Sequence, residues 1–498
     1  MVDDLIDFID QWTTKRVMLV GDFMLDHYVY GNAQRLSPDA PVPVLAVEDE
    51  KHSPGGAGHV CLDMQALKLD VACVGIIGQD NAGEELKRVL QESGACTDGL
   101  VEVPGRRTTV KRSFVGLAQH RHPQKMFRVD YESREPLDVQ TKQQLLAVAL
   151  AGLDSVDVVC IEDYDKGVVD ESLAQAVIKE ARERGIPVLV DPAAIKDYSR
   201  YVGATCLTPN RTEAEVATGL LSGDSTSNEA LALKLMKTVQ TDAMVLTLDK
   251  HGALLLERGQ EARTVPTVAR SVYDVTGAGD MVLAMLAGTI ANAAQWVDAV
   301  RLANIAAGLE VERFGAVPIP LDDIHVSLIE MRRSEVGKIR TVDQLQSEVR
   351  ALRNNGKRIA FTNGCFDILH SGHVTYLREA RKTGDLLIVA VNRDVSIRNL
   401  KGPERPIVSE QDRLTVLSEL ECVDYLILFG DGSGGEGDTP IPLLHALQPD
   451  ILVKGGDYTR DQVVGHEVVD AYGGEVQLID VVAGRSTTNI VERIKSAN

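Results

Sequence analysis

Two stretches of this chain gather groups able to handle phosphate. In DVTGAGD (274–280) two glycines precede an aspartate at the start of an apolar run, and in GCFDILHSGHVTYL (364–377) His370 and His373 flank a Ser-Gly pair. Gly277 and Gly279 let a backbone approach a ligand without Cβ obstruction. The helix predicted by the apolar residues that follow would direct N–H groups and a partial positive charge at an anion. Asp280, in that first turn, would repel phosphate. It suits a base that takes a proton from a hydroxyl as the oxygen attacks phosphorus. An acidic residue that only stabilises a helix start explains GAGD alone almost as well.

The histidine pair allows three readings. A zinc-protease pattern needs histidines four apart, commonly with an intervening glutamate, and no nearby Cys or His completes a ligand set. Burial in the core suits one histidine, but Gly372 at a helix start favours close ligand approach. Two imidazoles there can donate to phosphate oxygens while charge shifts during attack. The phosphate reading leads. Further chemistry-bearing residues lie in SPGGAGHV (53–60), a second glycine-rich turn, and in VGDFMLDHY (20–28), which sets Asp22 and Asp26 just after a strand. That is the edge where open α/β sheets bind ligands.

Elements able to position these groups are legible. RVMLVGD (16–22), VACVGIIG (71–78), VVCIED (158–163), PVLVDP (187–192) and MVLTLD (244–249) read as buried strands. Between them, 170–184 and 228–239 carry apolar residues at helical spacing. The alternation predicts a mainly parallel sheet covered by helices on both faces. Segments 31–50 and 105–130 break the rhythm and are expected to form a small β lid. Around 316–345 the pattern lapses, leading to a polar helix near 342–354. A second alternation follows: strand 358–364, helix 372–382 and strand 386–391. The expected domains are 1–318 and 345–498, joined by a linker at 319–344. GDGSGGEGDT (430–439) is expected as an acidic loop.

The 498 residues are 44% hydrophobic and 25% charged, ordinary for a globular chain with a sizeable core. A net charge of −21 argues against a general nucleic-acid binder, which needs a basic face. Seven scattered cysteines with no C-x-x-C pair suit a reducing compartment. The start, MVDDLIDFID, lacks the basic region of a signal peptide, and no apolar run nears the roughly 18 residues of a membrane span. A cytoplasmic location is expected.

GGAG with its following helix, and DVTGAGD, match in order the two signatures of the ribokinase-like sugar kinases, which residues 15–315 resemble. That resemblance implies a three-layer α/β domain with a β lid. It assigns Asp280 as catalytic base and Gly277, Ala278 and Gly279 as the anion hole. It places Asn210, Arg211, Thr212 and Glu213, with Thr247, Asp249 and Gly252, at ATP, and Asp26, Gly55 and Gly56 at the sugar. Lys111, Arg112 and Arg128, in the expected lid, are candidates for a phosphate already on that sugar. These kinases usually carry asparagine after the paired glycines, where it bonds a sugar hydroxyl. Here that position is His59.

Residues 350–495 resemble the H-x-G-H nucleotidyltransferases of the cytidylyltransferase-like superfamily, with a Rossmann-like sheet. There His370 and His373 would act at the α-phosphate and Lys401 on the triphosphate. Arg413 would support that charge site, Phe366 and Gly372 would lie at the nucleotide, and Ser486, Thr487 and Thr488 would make a helix-start phosphate contact.

Taken whole, the chain resembles the bifunctional heptose-7-phosphate kinase/heptose-1-phosphate adenylyltransferases of ADP-heptose synthesis for the lipopolysaccharide core. The resemblance implies Mg²⁺ with ATP at both sites but assigns no direct protein ligand to the metal. It further implies a homodimer paired through the lid sheets and a separate phosphatase acting between the two steps. It implies small-molecule substrates, with neither nucleic acid nor membrane as partner. Two other readings stay open: a related fusion using CTP or another sugar phosphate, and a nucleotide sensor without turnover.

Overall fold

A computed structural model describes residues 2–117, 123–222, 227–267, 273–313, 315–456 and 459–479. The chain divides into two compact units, Gln11–Ile324 and Met1–Asp10 with His325–Asn498. The helix Val2–Asp10 thus groups with the second unit, tied to it by Asp3 and Asp10, which bond Arg332 and Ser347. The segment expected as a linker carries the helix Leu321–Val336, and the unit boundary falls within it.

In the first unit, nine strands among the described residues form one sheet. Its order is Arg263–Val265, Ala253–Glu257, Ala243–Thr247, Cys206–Leu207, Val188–Asp191, Val158–Glu162, Arg16–Gly21, Asp70–Gly78 and Cys96–Val103. The pairs are parallel except around Ala253–Glu257, which runs antiparallel to both neighbours. Its strands are apolar runs because helices cover both faces. Side chains such as Val20, Val159, Val190 and Leu246 meet Leu173, Val177 and Leu235 from helices Glu171–Glu183 and Asn228–Val239. The expected lid is a separate four-stranded sheet, ordered Pro43–Gly56, Phe23–Leu36, Val110–Gly116, Gln124–Tyr131.

The second unit holds a five-stranded parallel sheet ordered Tyr425–Phe429, Leu386–Asn392, Ile359–Gly364, Ile451–Gly455, Glu475–Ile479. Phe361, Ile388 and Leu452 face one core and Ala360, Val389 and Val453 the other, as period-two alternation between two helical layers requires. No helix among the described residues is long and apolar enough to cross a membrane.

Candidate active sites

Three adjacent strand ends set the first site. Gly21, Glu162 and Asp191 lie in register, so their carboxyl-terminal loops open at one edge of the sheet. Along that edge the row runs from Asp249 and Gly252 after Ala243–Thr247, through Asn210–Glu213, Asp191 and Glu162, to Asp22 and Asp26. Asn210 caps the helix Arg211–Thr218 by a reciprocal box: its side chain accepts from the Glu213 N–H, and Glu213 accepts from the Asn210 N–H. Asn210 also bridges to Thr247. Arg211 and Thr212 begin the same helix, and Gly252 closes the 3₁₀ turn at Asp249–His251. The residues expected at ATP therefore share one stretch of the edge.

The helix Ala278–Ala291 starts at Gly277, whose φ of 94° is open to glycine at little cost. Gly279 faces Asp191: a Cβ there would lie 3.8 Å from its carboxylate. Asp280 follows, half-buried, with Oδ1 accepting a 3.1 Å hydrogen bond from the Tyr164 hydroxyl. Burial raises its carboxyl to about 6, with His59 the leading influence in the opposite direction. Glu162, Asp191 and Asp280 can bring one oxygen each within 4.8 Å of one another. Glu162 Oε2 is buried with no hydrogen-bond partner.

On the sugar side, Asp26 lies so close to the glycine turn that a Cβ on Gly55 would sit 2.6 Å from its carboxyl carbon. Gly56 ends the same strand and caps the helix Ala57–Ala66. Burial raises Asp26, while Lys111, His59, Arg128 and Lys125 draw it down, so Lys111 and Arg128 face it. Lys111 pairs with Asp26 in register, and its ammonium lies 4.9 Å from the Tyr164 ring centre. Arg112 is not brought to this group. Adjacent strand residues face opposite sides, and it donates to His27 Nδ1 at 3.0 Å. Asp22 is spent on the loop after Val158–Glu162, accepting from the N–H groups of Tyr164 and Lys166.

In the second unit, His370 caps the helix Ser371–Lys382. His370 Nδ1 accepts from the Gly372 N–H at 3.1 Å and His373 Nδ1 accepts from the His370 N–H at 3.4 Å. With Nδ1 accepting in each ring, Nε2 is the nitrogen that each histidine can offer outward as a donor. The ring centres are 4.0 Å apart. Burial, followed by His370 and Lys401, lowers His373 to about 4. Lys401 ends the exposed tip of the helix Asp394–Lys401, and the Phe366 ring lies tilted against His373, its centre 5.5 Å away.

Arg413 has a different place from the one expected. It is fully buried, donating to the carbonyls of Cys365, Asn392 and Val408 and to Asp394. Its donors tie these segments together. Ser486, Thr487 and Thr488 lie outside the described residues.

Four residues were not singled out by motif. Tyr164, Glu162 and Asp191 follow or end strands legible in sequence, so the rule that ligands bind at carboxyl ends could have nominated them. Lys454, held at 3.1 Å from the Asn363 carbonyl and lowered to about 8 by burial, sits in LVKGG at a strand end likewise.

A sheet edge with an anion-binding helix start and a carboxylate, followed by a Rossmann-like unit with a histidine pair, defines a carbohydrate kinase joined to a nucleotidyltransferase. Residues 14–323 match the pfkB family carbohydrate kinases, and residues 361–496 match the cytidylyltransferase-like family. The chain belongs to the family of bifunctional HldE proteins. It is 44% identical over 482 residues to the bifunctional protein HldE of Trichlorobacter lovleyi, covering 97% of this chain and 96% of that one. To its counterpart in Geobacter sulfurreducens it is 42% identical over 480 residues, 96% of each chain. Phosphofructokinase-2 from Escherichia coli in complex with substrates and products shares the fold of the first unit. Its TM-score is 0.53 at 17% identity, covering 64% of this chain and 100% of that one.

Proposed function

We propose that the first unit phosphorylates O1 of D-glycero-β-D-manno-heptose 7-phosphate with ATP, and that the second joins D-glycero-β-D-manno-heptose 1-phosphate to AMP from ATP, forming ADP-heptose and pyrophosphate. The observation that carries this reading is the contrast between the two anion-binding helix starts. One bears a carboxylate and the other bears two imidazole donors.

In the first reaction the sugar hydroxyl attacks the γ-phosphorus, its proton passes to Asp280, and the bond to ADP breaks. Tyr164 holds the Asp280 carboxylate toward the incoming hydroxyl. The N–H groups of Gly277–Gly279 receive the charge on the moving phosphoryl group. Asp26 bonds a sugar hydroxyl, and Lys111 and Arg128 take the phosphate that the sugar already carries. In the second, a phosphate oxygen already ionised attacks the α-phosphorus and pyrophosphate leaves. No base is needed, and His370 and His373 donate to the oxygens that gain charge.

Mg²⁺ fits the first site. Glu162 and Asp191 are hard oxygen donors, and a buried Glu162 oxygen without a partner is the kind of atom a divalent cation satisfies. When bound with ATP, the ion neutralises charge on the phosphates. The first product carries two phosphates and the second substrate one, so a phosphatase must act between them. Exposed Leu36, Val47 and Phe127 on the lid sheet support pairing of two copies.

The test supplies purified protein with sedoheptulose 7-phosphate, heptose 7-phosphate or heptose 1-phosphate, each with ATP or CTP, and identifies products by mass. ADP-heptose from heptose 1-phosphate and a bisphosphate from heptose 7-phosphate are expected. CDP-heptose, or turnover of sedoheptulose 7-phosphate alone, would replace this reading.

A further inference from the structure

Behind the GAGD turn lies a buried charge cluster that phosphoryl transfer as written does not use. His59 stands in the first turn of the helix Ala57–Ala66, Asp63 one turn later, and Glu310 at the end of the helix Trp296–Glu310. His59 Nε2 is 3.1 Å from Glu310 Oε1 and 3.5 Å from Asp63 Oδ2, with side-chain exposures of 4%, 0% and 0%. Both Asp63 oxygens and Glu310 Oε2 are sealed from solvent without a hydrogen-bond donor. Burial raises both carboxyls, and His59 is the leading influence that draws each back down, so a positive charge among them favours their ionised form.

The cluster touches the site through one residue. A Cβ on Gly277 would collide with Glu310 Oε1 and lie 2.9 Å from His59 Nε2, so the backbone that opens the anion-binding helix rests on this pair. Charged groups face His59 from several elements. Asp63 is on its own helix, Glu310 on Trp296–Glu310, Asp280 on Ala278–Ala291 and Asp26 on Phe23–Leu36. Arg313 backs Glu310, and Lys111 reaches Asp280. Burial alone would lower the imidazole, but Asp63, the Glu310 hydrogen bond and Asp280 raise it to about 10.

We propose that His59 is a positioning residue of the kinase reaction: an imidazolium braced by Asp63 and Glu310 that supports the Gly277–Gly279 turn from behind and keeps Asp280 ionised. The proposal rests on the reading of Asp280 as base. Asparagine, usual at this position in the resembled kinases, is neutral and cannot supply the charge. The Nε2 of His59 is committed to Glu310 and is not free for a sugar hydroxyl.

The test has two arms on the full chain. In the first, ¹⁵N-histidine labelling reads the protonation of the His59 ring from pH 6 to 9, with His59→Asn assigning the signal. A ring still doubly protonated at pH 8.5 is expected; a neutral ring at pH 8, or stoichiometric zinc or manganese bound at the three side chains, overturns the proposal. In the second, His59→Asn is expected to lower kinase kcat about tenfold and to move the acid limb of kcat/KM upward by about one pH unit, with sugar KM within about twofold. Adenylyl transfer stays unchanged and reports that the chain is folded. An acid limb that does not move overturns the proposal, because a merely structural loss lowers activity without shifting it.

If His59→Asn does not fold, Glu310→Gln replaces it. The His59 ring is then expected to lose its proton at lower pH than in the parent chain, and an unchanged titration overturns the proposal. Asp280→Asn separates the two readings. Retained phosphorylation there removes Asp280 as base, while a protonated His59 ring in the first arm would still establish the buried charge.

Discussion

The hydroxyl of Tyr164 donates to Oδ1 of Asp280 across 116 positions of sequence, at 3.1 Å. The bond joins the loop after one central strand to the first turn of the anion-binding helix. It fixes which carboxylate oxygen is occupied and which one Asp280, as the proposed base, would offer to a hydroxyl. Lys111, over the Tyr164 ring, links the lid to the same point.

Asp280→Asn is therefore expected to lower the phosphorylation rate by at least about 10²-fold, the range for loss of a general base. Tyr164→Phe should cost about tenfold, since positioning is lost but the base is kept. Adenylyl transfer, assayed by pyrophosphate release in the same preparations, should stay at the parent level.

Asp280 must be ionised to accept a proton, and burial raises its carboxyl to about 6. Above that pH the base is available; below it the protonated fraction grows. The kinase kcat/KM should fall about tenfold per pH unit below 6, in a profile taken at constant ionic strength.

His373 behaves in the opposite sense. Its imidazole is held down to about 4, so it stays neutral through the physiological range. Adenylyl transfer should show no inflection from this residue between pH 5 and 8. His373→Ala should lower that rate about 10²–10³-fold, as for removal of an oxyanion donor. Sugar phosphorylation by the same protein should be unaffected.

Arg413→Met should act on stability rather than on nucleotide affinity. It strips donors from three backbone carbonyls and Asp394 inside the second unit. Leaving one side of a buried charged network unpaired costs about 3–5 kcal/mol. Denaturant unfolding followed by fluorescence should show one destabilised transition, with sugar phosphorylation retained before it.

The His59 cluster makes a pH-dependent contribution to folding. A group raised in the folded state from 6.5 to about 10 stabilises fully below pH 6.5, and that contribution is lost as pH rises through 10. The melting-temperature difference between the parent chain and Glu310→Gln should therefore shrink from pH 6 to pH 10.

Much of the architecture was legible because its signals are local. The strand at 158–163 and the helix at 228–239 announce themselves by apolar runs and helical spacing, and are found at Val158–Glu162 and Asn228–Val239. DVTGAGD and HSGH were equally readable, since glycine beside a charged or imidazole group at a helix start is a pattern of neighbours in sequence.

What the chain alone determined was therefore its alternating elements, its two glycine-bearing helix starts and the chemical types placed at each. Tertiary structure decided what depends on distant partners. Arg413 reads as a cation near a triphosphate, yet four acceptors from three segments of the chain enclose it. His59 reads as a substitute for asparagine at a sugar, yet Glu310, 251 positions away, holds its ring buried behind the GAGD turn. Tyr164, unremarked in the sequence, reaches the carboxylate because parallel strands bring their carboxyl ends to one edge. Residue type and spacing fix what a group can do; burial and long-range pairing fix which of those things it does.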